Sequence, residues 1–214
     1  FEIVNEIPVH RANLFSRRNG GALRLFLNYF SFAFLASLKL RKIKDSFDTI
    51  FVYEPSPITV GIPAVFAKKK FNAPIYFWVQ DLWPESLVAA GGVKNKFILG
   101  FFNSLTKWIY NHSKKVLIQS NGFREYILNQ GIPNDKIVFY PNPTENFYKP
   151  LQRVKEYQEF FQKQYFNIIF AGNIGEAQSF MTIIEAIHNI KELPVKVIVL
   201  GDGRYKETAL RQSL

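Results

Sequence analysis

The protein has 214 residues, of which 48% are hydrophobic and 21% charged, so the chain can bury a sizeable core and is not disordered. It has no cysteine, which excludes a disulfide framework and a thiol nucleophile, and its three histidines argue against a structural zinc site. The net charge of +10 predicts an anionic partner: nucleic acid, a nucleotide phosphate or an acidic membrane face.

The first forty residues combine a strand, a basic loop and a long apolar helix. Glu2 to Val9 predicts the strand, Arg17 to Gly21 the loop, and Ala22 to Leu40 the helix. Two basic residues and an asparagine interrupt this helix, and its uncharged run is shorter than the roughly 20 residues that a bilayer requires. We therefore predict a buried or interfacial helix, whose aromatic side chains and flanking basic residues are suited to an anionic membrane surface.

From Asp48 onward, apolar strands alternate with helices. The predicted strands are 48–53, 73–79, 115–119 and 136–140, and the predicted helices between them are 58–70, 94–112 and 120–130. This alternation predicts a parallel sheet covered by helices. Pro141 to Gln164 differs, being rich in proline, lysine and glutamine, and we interpret it as a crossing between domains with a short amphipathic helix.

The pattern then restarts with strands at 166–171 and 195–200 and with helices at 178–191 and from Arg204. Gly172 and Gly175 follow the first strand, and Leu200 to Gly203 ends the second. Glycines let a backbone approach a ligand closely, and free N–H groups at a helix start attract anions. Two such loops at the carboxyl ends of neighbouring parallel strands predict a nucleotide diphosphate site, with free backbone N–H groups beside Gly172.

Four segments carry a resemblance to a known family: Asp81-Leu82-Trp83-Pro84-Glu85-Ser86, Ser120 to Phe123, Pro141-Asn142, and Gly172 to Gln178. Together they resemble family 4 glycosyltransferases of the GT-B fold, especially the bacterial subgroup with fucosamine transferases of O-antigen and capsule assembly. The resemblance implies an α/β protein of two Rossmann-like domains, both incomplete in this chain. Residues 1–145 would form most of an acceptor-binding domain, and residues 146–214 the beginning of a nucleotide-sugar-binding domain.

The resemblance implies transfer of a sugar from a nucleotide-diphosphate donor, expected to be a UDP-sugar, to a lipid-linked saccharide acceptor in surface polysaccharide biosynthesis. It also implies retention of anomeric configuration, no metal, no other cofactor, and a cytoplasmic location with peripheral contact on the inner face of the membrane. The donor-binding glutamate of the family would lie beyond Leu214, so the isolated chain is expected to be inactive.

Two other functions stay open. A sugar-nucleotide epimerase uses the same two-domain architecture, although the sequence offers no convincing acid and base pair. A non-catalytic basic binding protein is the other alternative; nucleic acid is disfavoured as its partner because no recognition motif is found.

On the acceptor side, the candidate catalytic residue is Asp81, which stands after a predicted strand where many relatives have a His-Asp pair. Asp81 either orients or deprotonates an acceptor hydroxyl, or caps the helix that begins near Pro84. The remaining acceptor-side candidates lie at strand exits, and each has a structural alternative in capping, packing or turn formation: Glu54, Gln80, Trp83, Glu85 and Ser120.

The donor-side candidates are the residues of the two glycine loops: Gly172, Asn173, Ile174, Gly175, Gln178, Gly201, Asp202 and Gly203. Many family members have Arg and Lys where this chain has Asn173 and Gln178. Phosphate charge would then be met by backbone amides, by Arg204, or by residues beyond Leu214.

Overall fold

The structure is a computed structural model that describes residues 1–16, 21–91, 93–152 and 160–212. The chain divides into two compact units: the first consists of Phe1–Val88 and Val93–Pro143, and the bulk of the second begins at Thr144. The predicted basic loop, the predicted amphipathic helix and the last residues of the chain fall wholly or partly on 17–20, 153–159 and 213–214, outside the described residues.

The first unit opens with a hairpin rather than with the single predicted strand, so that prediction is wrong. Strands β1 (Glu2–Val4) and β2 (Ile7–Val9) pair antiparallel. Asn5 and Glu6 join them with φ angles of 48° and 67°. Positive φ at both central residues is typical of the tight turn that matches strand twist. The pair lacks the glycine that usually marks such a turn in a sequence.

Helix α1 (Ala22–Leu40) has the predicted bounds, but it is not a buried helix. Its segment Leu23–Leu40 is long and apolar enough to cross a membrane by length and composition alone, and only 11% of it is buried. Tyr29 and Ala33 face the core, whereas Leu23, Phe26 and Phe34 are exposed.

The first unit is built on a parallel four-stranded sheet, as predicted. The strands are β3 (Ile50–Glu54), β4 (Ile75–Val79), β5 (Lys115–Ile118) and β6 (Ile137–Phe139), in the order β3-β4-β5-β6. The intervening helices are α2 (Gly61–Phe71), α3 (Glu85–Gly91), α4 (Lys96–His112) and α5 (Gly122–Asn129). The main core lies between the sheet and these helices. Parallel sheets require such covering helices because their crossovers run over the sheet.

The second unit contains two parallel strands and two helices. Strand β7 (Phe166–Ala171) pairs with β8 (Val195–Leu200) along its whole length. Helices α6 (Phe180–Asn189) and α7 (Lys206–Gln212) supply Phe180, Ile184 and Ala209 to a small core. Helix α6 begins two residues later than predicted. A 3-10 turn at Glu176–Gln178 and Ser179, whose φ is 48°, separate it from the glycine loop.

Candidate functional site

The carboxyl edge of the first sheet brings together three of the predicted acceptor-side residues. Glu54 is the last residue of β3, and Gln80 and Asp81 follow β4 directly. The Gln80 N–H donates to the Glu54 carbonyl at 3.1 Å, which fixes the two strand exits side by side. Ligands of open parallel sheets bind outside this edge of the strands.

The Glu54 carboxyl group is completely buried, and neither of its oxygens has a hydrogen-bond partner among the described residues. Burial raises the pKa of Glu54 to about 9, and the charge of Asp81 adds to the rise. The nearby backbone N–H groups of Asp81, Gln80 and Ser56 oppose it. Glu54 is therefore a neutral acid at pH 7, a state in which a carboxyl group can donate a hydrogen bond or a proton but cannot act as a base.

The Asp81 carboxylate is half-buried, and burial raises its pKa while a hydrogen bond from the Ser56 side chain lowers it. Ser56 has a φ of 106°, a backbone conformation that non-glycine residues rarely adopt and that is often found at functional sites. The Asp81 side chain caps no helix in the described part of the chain. The pair thus contains a buried acid and an accessible carboxylate, the arrangement that separates acid and base roles between two carboxyl groups.

Trp83 and Glu85 also follow β4, and their side chains differ in exposure. The Trp83 ring is 1% exposed and packs between Tyr29 and Phe102, with ring centroids 6.1 and 5.2 Å away. It therefore presents no face to a sugar, and the packing alternative explains it. Its carbonyl accepts hydrogen bonds from Tyr126 Oη and Gln130 Nε2 at 3.3 and 3.0 Å. Glu85 is exposed and hydrogen-bonds Tyr126.

Two amide side chains that the sequence analysis did not select extend this edge. Gln119 Nε2 donates to the Gln80 carbonyl at 2.9 Å, and Asn142 Nδ2 donates to Gln119 Oε1 at 3.0 Å. These bonds link the exits of β4, β5 and β6. Ser120 instead accepts from the Gly122 N–H at 3.2 Å, which is the capping alternative. The predicted strand 115–119 includes Gln119, whereas the observed β5 ends at Ile118, which makes Gln119 rather than Ser120 the first residue after the strand.

A buried tyrosine also lies beside this pair. The Tyr110 side chain is 1% exposed, and its hydroxyl has no hydrogen-bond partner among the described residues. Burial is the main cause that raises the pKa of Tyr110, and the charge of Glu54 raises this pKa further. Tyr110 lies in the C-terminal half of α4, where the helical pattern alone indicates a core aromatic residue.

In the second unit, the two glycine loops lie against each other at the carboxyl ends of β7 and β8. The Gly172 N–H donates to the Leu200 carbonyl at 3.0 Å, and the Ile174 N–H donates to the Asp202 carbonyl at 2.8 Å. The expectation of free N–H groups is therefore wrong at these two positions. The N–H groups of Asn173 and Gly175 have no acceptor in the described ranges. Asn173 is exposed, so its N–H is open to a ligand, whereas Gly175 is buried beside the Asn173 and Gln178 side chains.

Side-chain amides complete the donor-side candidates. Asn173 Nδ2 donates to Gln178 Oε1 at 2.9 Å, so these two residues form one polar group. The Ile174 side chain is 4% exposed and belongs to the core. Asp202 accepts from the Gly203 N–H at 2.8 Å and lies 3.6 Å from Lys206 Nζ. Within the described residues no cluster of His, Cys, Asp and Glu side chains could hold a metal ion.

The comparisons with known proteins concern the family and the fold of the chain. Residues 2–143, which include the whole Glu54–Asp81 edge, match the glycosyl transferase 4-like domain. No curated protein sequence matches the chain. Among solved structures, the chain is similar to TarM of S. aureus, in a crystal structure of a point mutant in complex with Fondaparinux, alpha-GlcNAc-glycerol and UDP.

The similarity to TarM extends over 84% of this chain at 21% identity with a TM-score of 0.52, and the chain spans only 33% of the TarM chain. At this identity the similarity shows the fold: an α/β protein with Rossmann-like parallel sheets, as the sequence predicted. The family match covers about two thirds of the chain, from the first hairpin to the exit of β6. The chain belongs to the glycosyl transferase 4-like family.

Proposed function

We propose that the protein is a glycosyltransferase that moves a sugar from a nucleotide-diphosphate donor to a glycan acceptor. The observation that carries this proposal is the Asp81 carboxylate, half-buried at the carboxyl edge of the parallel sheet within the residues that match the family. In the reaction, an acceptor hydroxyl oxygen bonds to the anomeric carbon, and the bond from that carbon to the diphosphate breaks. Asp81 orients the hydroxyl and accepts its proton.

The donor side belongs to the glycine loops of the second unit. The free N–H group of Asn173 and the amide side chains of Asn173 and Gln178 would contact the diphosphate. Fixed N–H dipoles of this kind stabilise a departing phosphate without reorganising. Since TarM was crystallised with UDP, we propose UDP as the nucleotide. Retention of configuration and independence of metal are proposed on the family resemblance. Retention in this single displacement requires the acceptor oxygen to bond to the anomeric carbon on the face from which the diphosphate leaves.

The acceptor is proposed to be lipid-linked, in the biosynthesis of a surface polysaccharide such as O-antigen or capsule, on the inner face of the cytoplasmic membrane. Helix α1 supports this part of the proposal because it exposes Leu23, Phe26 and Phe34 together on one helix. Large exposed apolar patches mark interaction surfaces, and a net charge of +10 favours an anionic membrane.

Because the isolated chain is expected to be inactive, the test uses residues 1–214 joined to a complete nucleotide-sugar-binding domain. It measures transfer from radiolabelled UDP-sugars to a polyprenyl-diphosphate saccharide extract, with UDP release as a second readout. We expect Asp81→Asn to lower the rate by about 10²–10⁴-fold, the usual contribution of a general base. Asp135→Asn, at an exposed position of the same unit, is the matched control. Equal rates for Asp81→Asn and the wild type would refute the role of Asp81. Isomerisation of the donor sugar in the absence of acceptor would show that the reaction is epimerisation rather than transfer.

Epimerisation is the second candidate because the structure supplies what the sequence lacked, a buried acid beside a carboxylate. Burial keeps the Glu54 carboxyl group neutral at pH 7, whereas the Asp81 carboxyl group is less buried. Such a pair can give and take one proton each. Chromatography of the donor sugar after incubation without acceptor separates the two reactions.

A further inference from the structure

A groove on the first unit runs between α1 and α2. It encloses about 550 Å³, which is in the range of sites that hold small molecules. Its walls are apolar along most of its length: Phe30, Ala33, Phe34 and Leu38 from α1, and Ile62 and Phe66 from α2. These residues recur at three- and four-residue intervals, so each helix presents one continuous apolar face to the groove.

The groove has a polar end as well as an apolar one. Both helices end on the same side, where Arg41, Lys69 and Lys70 line the groove. Lys70 Nζ donates to the carbonyls of Leu40 and Arg41 at 2.6 and 3.1 Å and so closes the end of α1. Arg41 and Lys69 are exposed, and neither forms an ion pair within the described ranges. These two cations are therefore available to an anion at the groove entrance.

The apolar walls are open to solvent. Phe34 is 63% exposed and Phe66 is 50% exposed. A second cavity, of about 600 Å³, shares Leu38 and Arg41 with the groove and adds the basic side chains Arg11, Lys39 and Lys42. An apolar slot that ends in cations has the same polarity as a lipid, with a hydrocarbon chain at one end and a phosphate at the other.

We propose that this groove holds one hydrocarbon chain of an anionic membrane lipid, with Arg41 and Lys69 at the lipid phosphate. This inference rests on the membrane contact in the proposed function and names the site that makes it. A chain seated between α1 and α2 fixes the first unit at a set depth on the membrane. Electrostatic contact alone would not give a saturable site and would not bring the hydrocarbon chain of a lipid against these residues.

The first experiment places a reporter in the groove. Phe66→Trp and, separately, Phe34→Trp are mixed with vesicles of phosphatidylglycerol and phosphatidylcholine, whose chains carry bromine in one sample and none in the other. We expect brominated chains to quench the added tryptophan in both variants, beyond any quenching of the wild type. If the variants float with the vesicles but neither shows added quenching, the groove does not hold a lipid chain. The membrane contact of the proposed function would still stand.

The second experiment tests the cations. Arg41→Glu combined with Lys69→Glu is compared with Lys149→Glu combined with Lys163→Glu, which changes the net charge equally at exposed positions outside the groove. Each cation near an anionic surface contributes about fivefold to binding, so the groove pair should weaken vesicle binding by about 25-fold or more. Equal losses in both double variants would refute the phosphate site. Dimerisation through the groove, seen by sedimentation and abolished by Phe34→Asp, would assign it to a second copy and also refute the proposal.

Discussion

We expect the free energy of unfolding of the first unit to fall by about 5 kcal/mol as the pH rises from about 5 to about 9, and Glu54→Gln to remove most of this fall. Burial raises the pKa of Glu54 from 4.5 to about 9 in the folded protein, with a further contribution from Asp81. The folded state thus holds a proton that the unfolded state has released. Stability is complete below the unfolded pKa of 4.5 and is lost as the pH approaches 9.

The measurement is urea unfolding at several pH values, followed by tryptophan fluorescence. All three tryptophans, Trp78, Trp83 and Trp108, lie in the first unit, so the signal reports on that unit alone. The wild type should lose up to about 1.4 kcal/mol per pH unit within the window. Glu54→Gln keeps the shape of the side chain without an ionisable proton, and we expect it to be more stable than the wild type at pH 9.

The matched control is Glu125→Gln, which removes an exposed carboxylate of α5 and should keep the wild-type slope. A Glu54→Gln variant with the full wild-type slope would show that Glu54 is ionised in the folded state. Such a result would also remove the acid from the pair and leave Asp81 beside a second negative charge. The stability experiment therefore checks the electrostatics of the candidate site without any assay of activity.

Much of the fold could be predicted because each element has its own local signal. The strand Ile75–Val79 is a short run of β-branched and aromatic residues, and Asn95 caps α4 by accepting from the N–H groups of Phe97 and Ile98. The elements that were missed lack such signals. Asn5 and Glu6 turn the first hairpin without glycine, and Ser179 delays α6 by adopting a left-handed conformation. Both rest on positive φ angles at residues other than glycine, which such residues rarely adopt.

The site was predictable in position but not in chemical state. The end of each strand locates Glu54 and Asp81, since parallel strands align their carboxyl ends. Whether a carboxyl group is neutral depends on what covers it, and here burial together with the charge of a residue from another strand exit raises the pKa of Glu54. The linking role of Gln119 likewise depends on Gln80 and Asn142, which are distant in sequence.

The second large effect concerns the glycines of the donor side. We expect Gly201→Ala and Gly203→Ala each to destabilise the second unit by about 1–3 kcal/mol or more, and Gly172→Ala to change its stability by less than about 0.5 kcal/mol. A Cβ atom on Gly201 would lie 2.0 Å from the Gly172 carbonyl oxygen. On Gly203, whose φ is 157°, it would lie 2.3 Å from the Ile174 carbonyl oxygen.

These overlaps are severe because they involve backbone atoms that β7 and β8 hold in place. A Cβ atom on Gly172, in contrast, would meet only the Phe170 ring at 3.7 Å, an ordinary contact. Hydrogen exchange of the amides in 166–171 and 195–200 measures the effect. A small two-stranded unit is only marginally stable, so a loss of about 1–3 kcal/mol should clearly speed the exchange of these amides. The tryptophan signal of the first unit should stay unchanged in all three variants. Rapid exchange in Gly172→Ala with wild-type protection in Gly201→Ala would contradict the packing argument.

Binding of UDP to the same three variants separates packing from ligand contact. If Gly201 and Gly203 serve only the close approach of the two loops, Gly201→Ala and Gly203→Ala lose UDP affinity together with amide protection. Gly172→Ala keeps the loop intact and adds one methyl group where a diphosphate would approach the free N–H of Asn173. A stable Gly172→Ala protein with weakened UDP binding would thus place the ligand at this loop, whereas unchanged UDP binding would move the diphosphate away from Gly172.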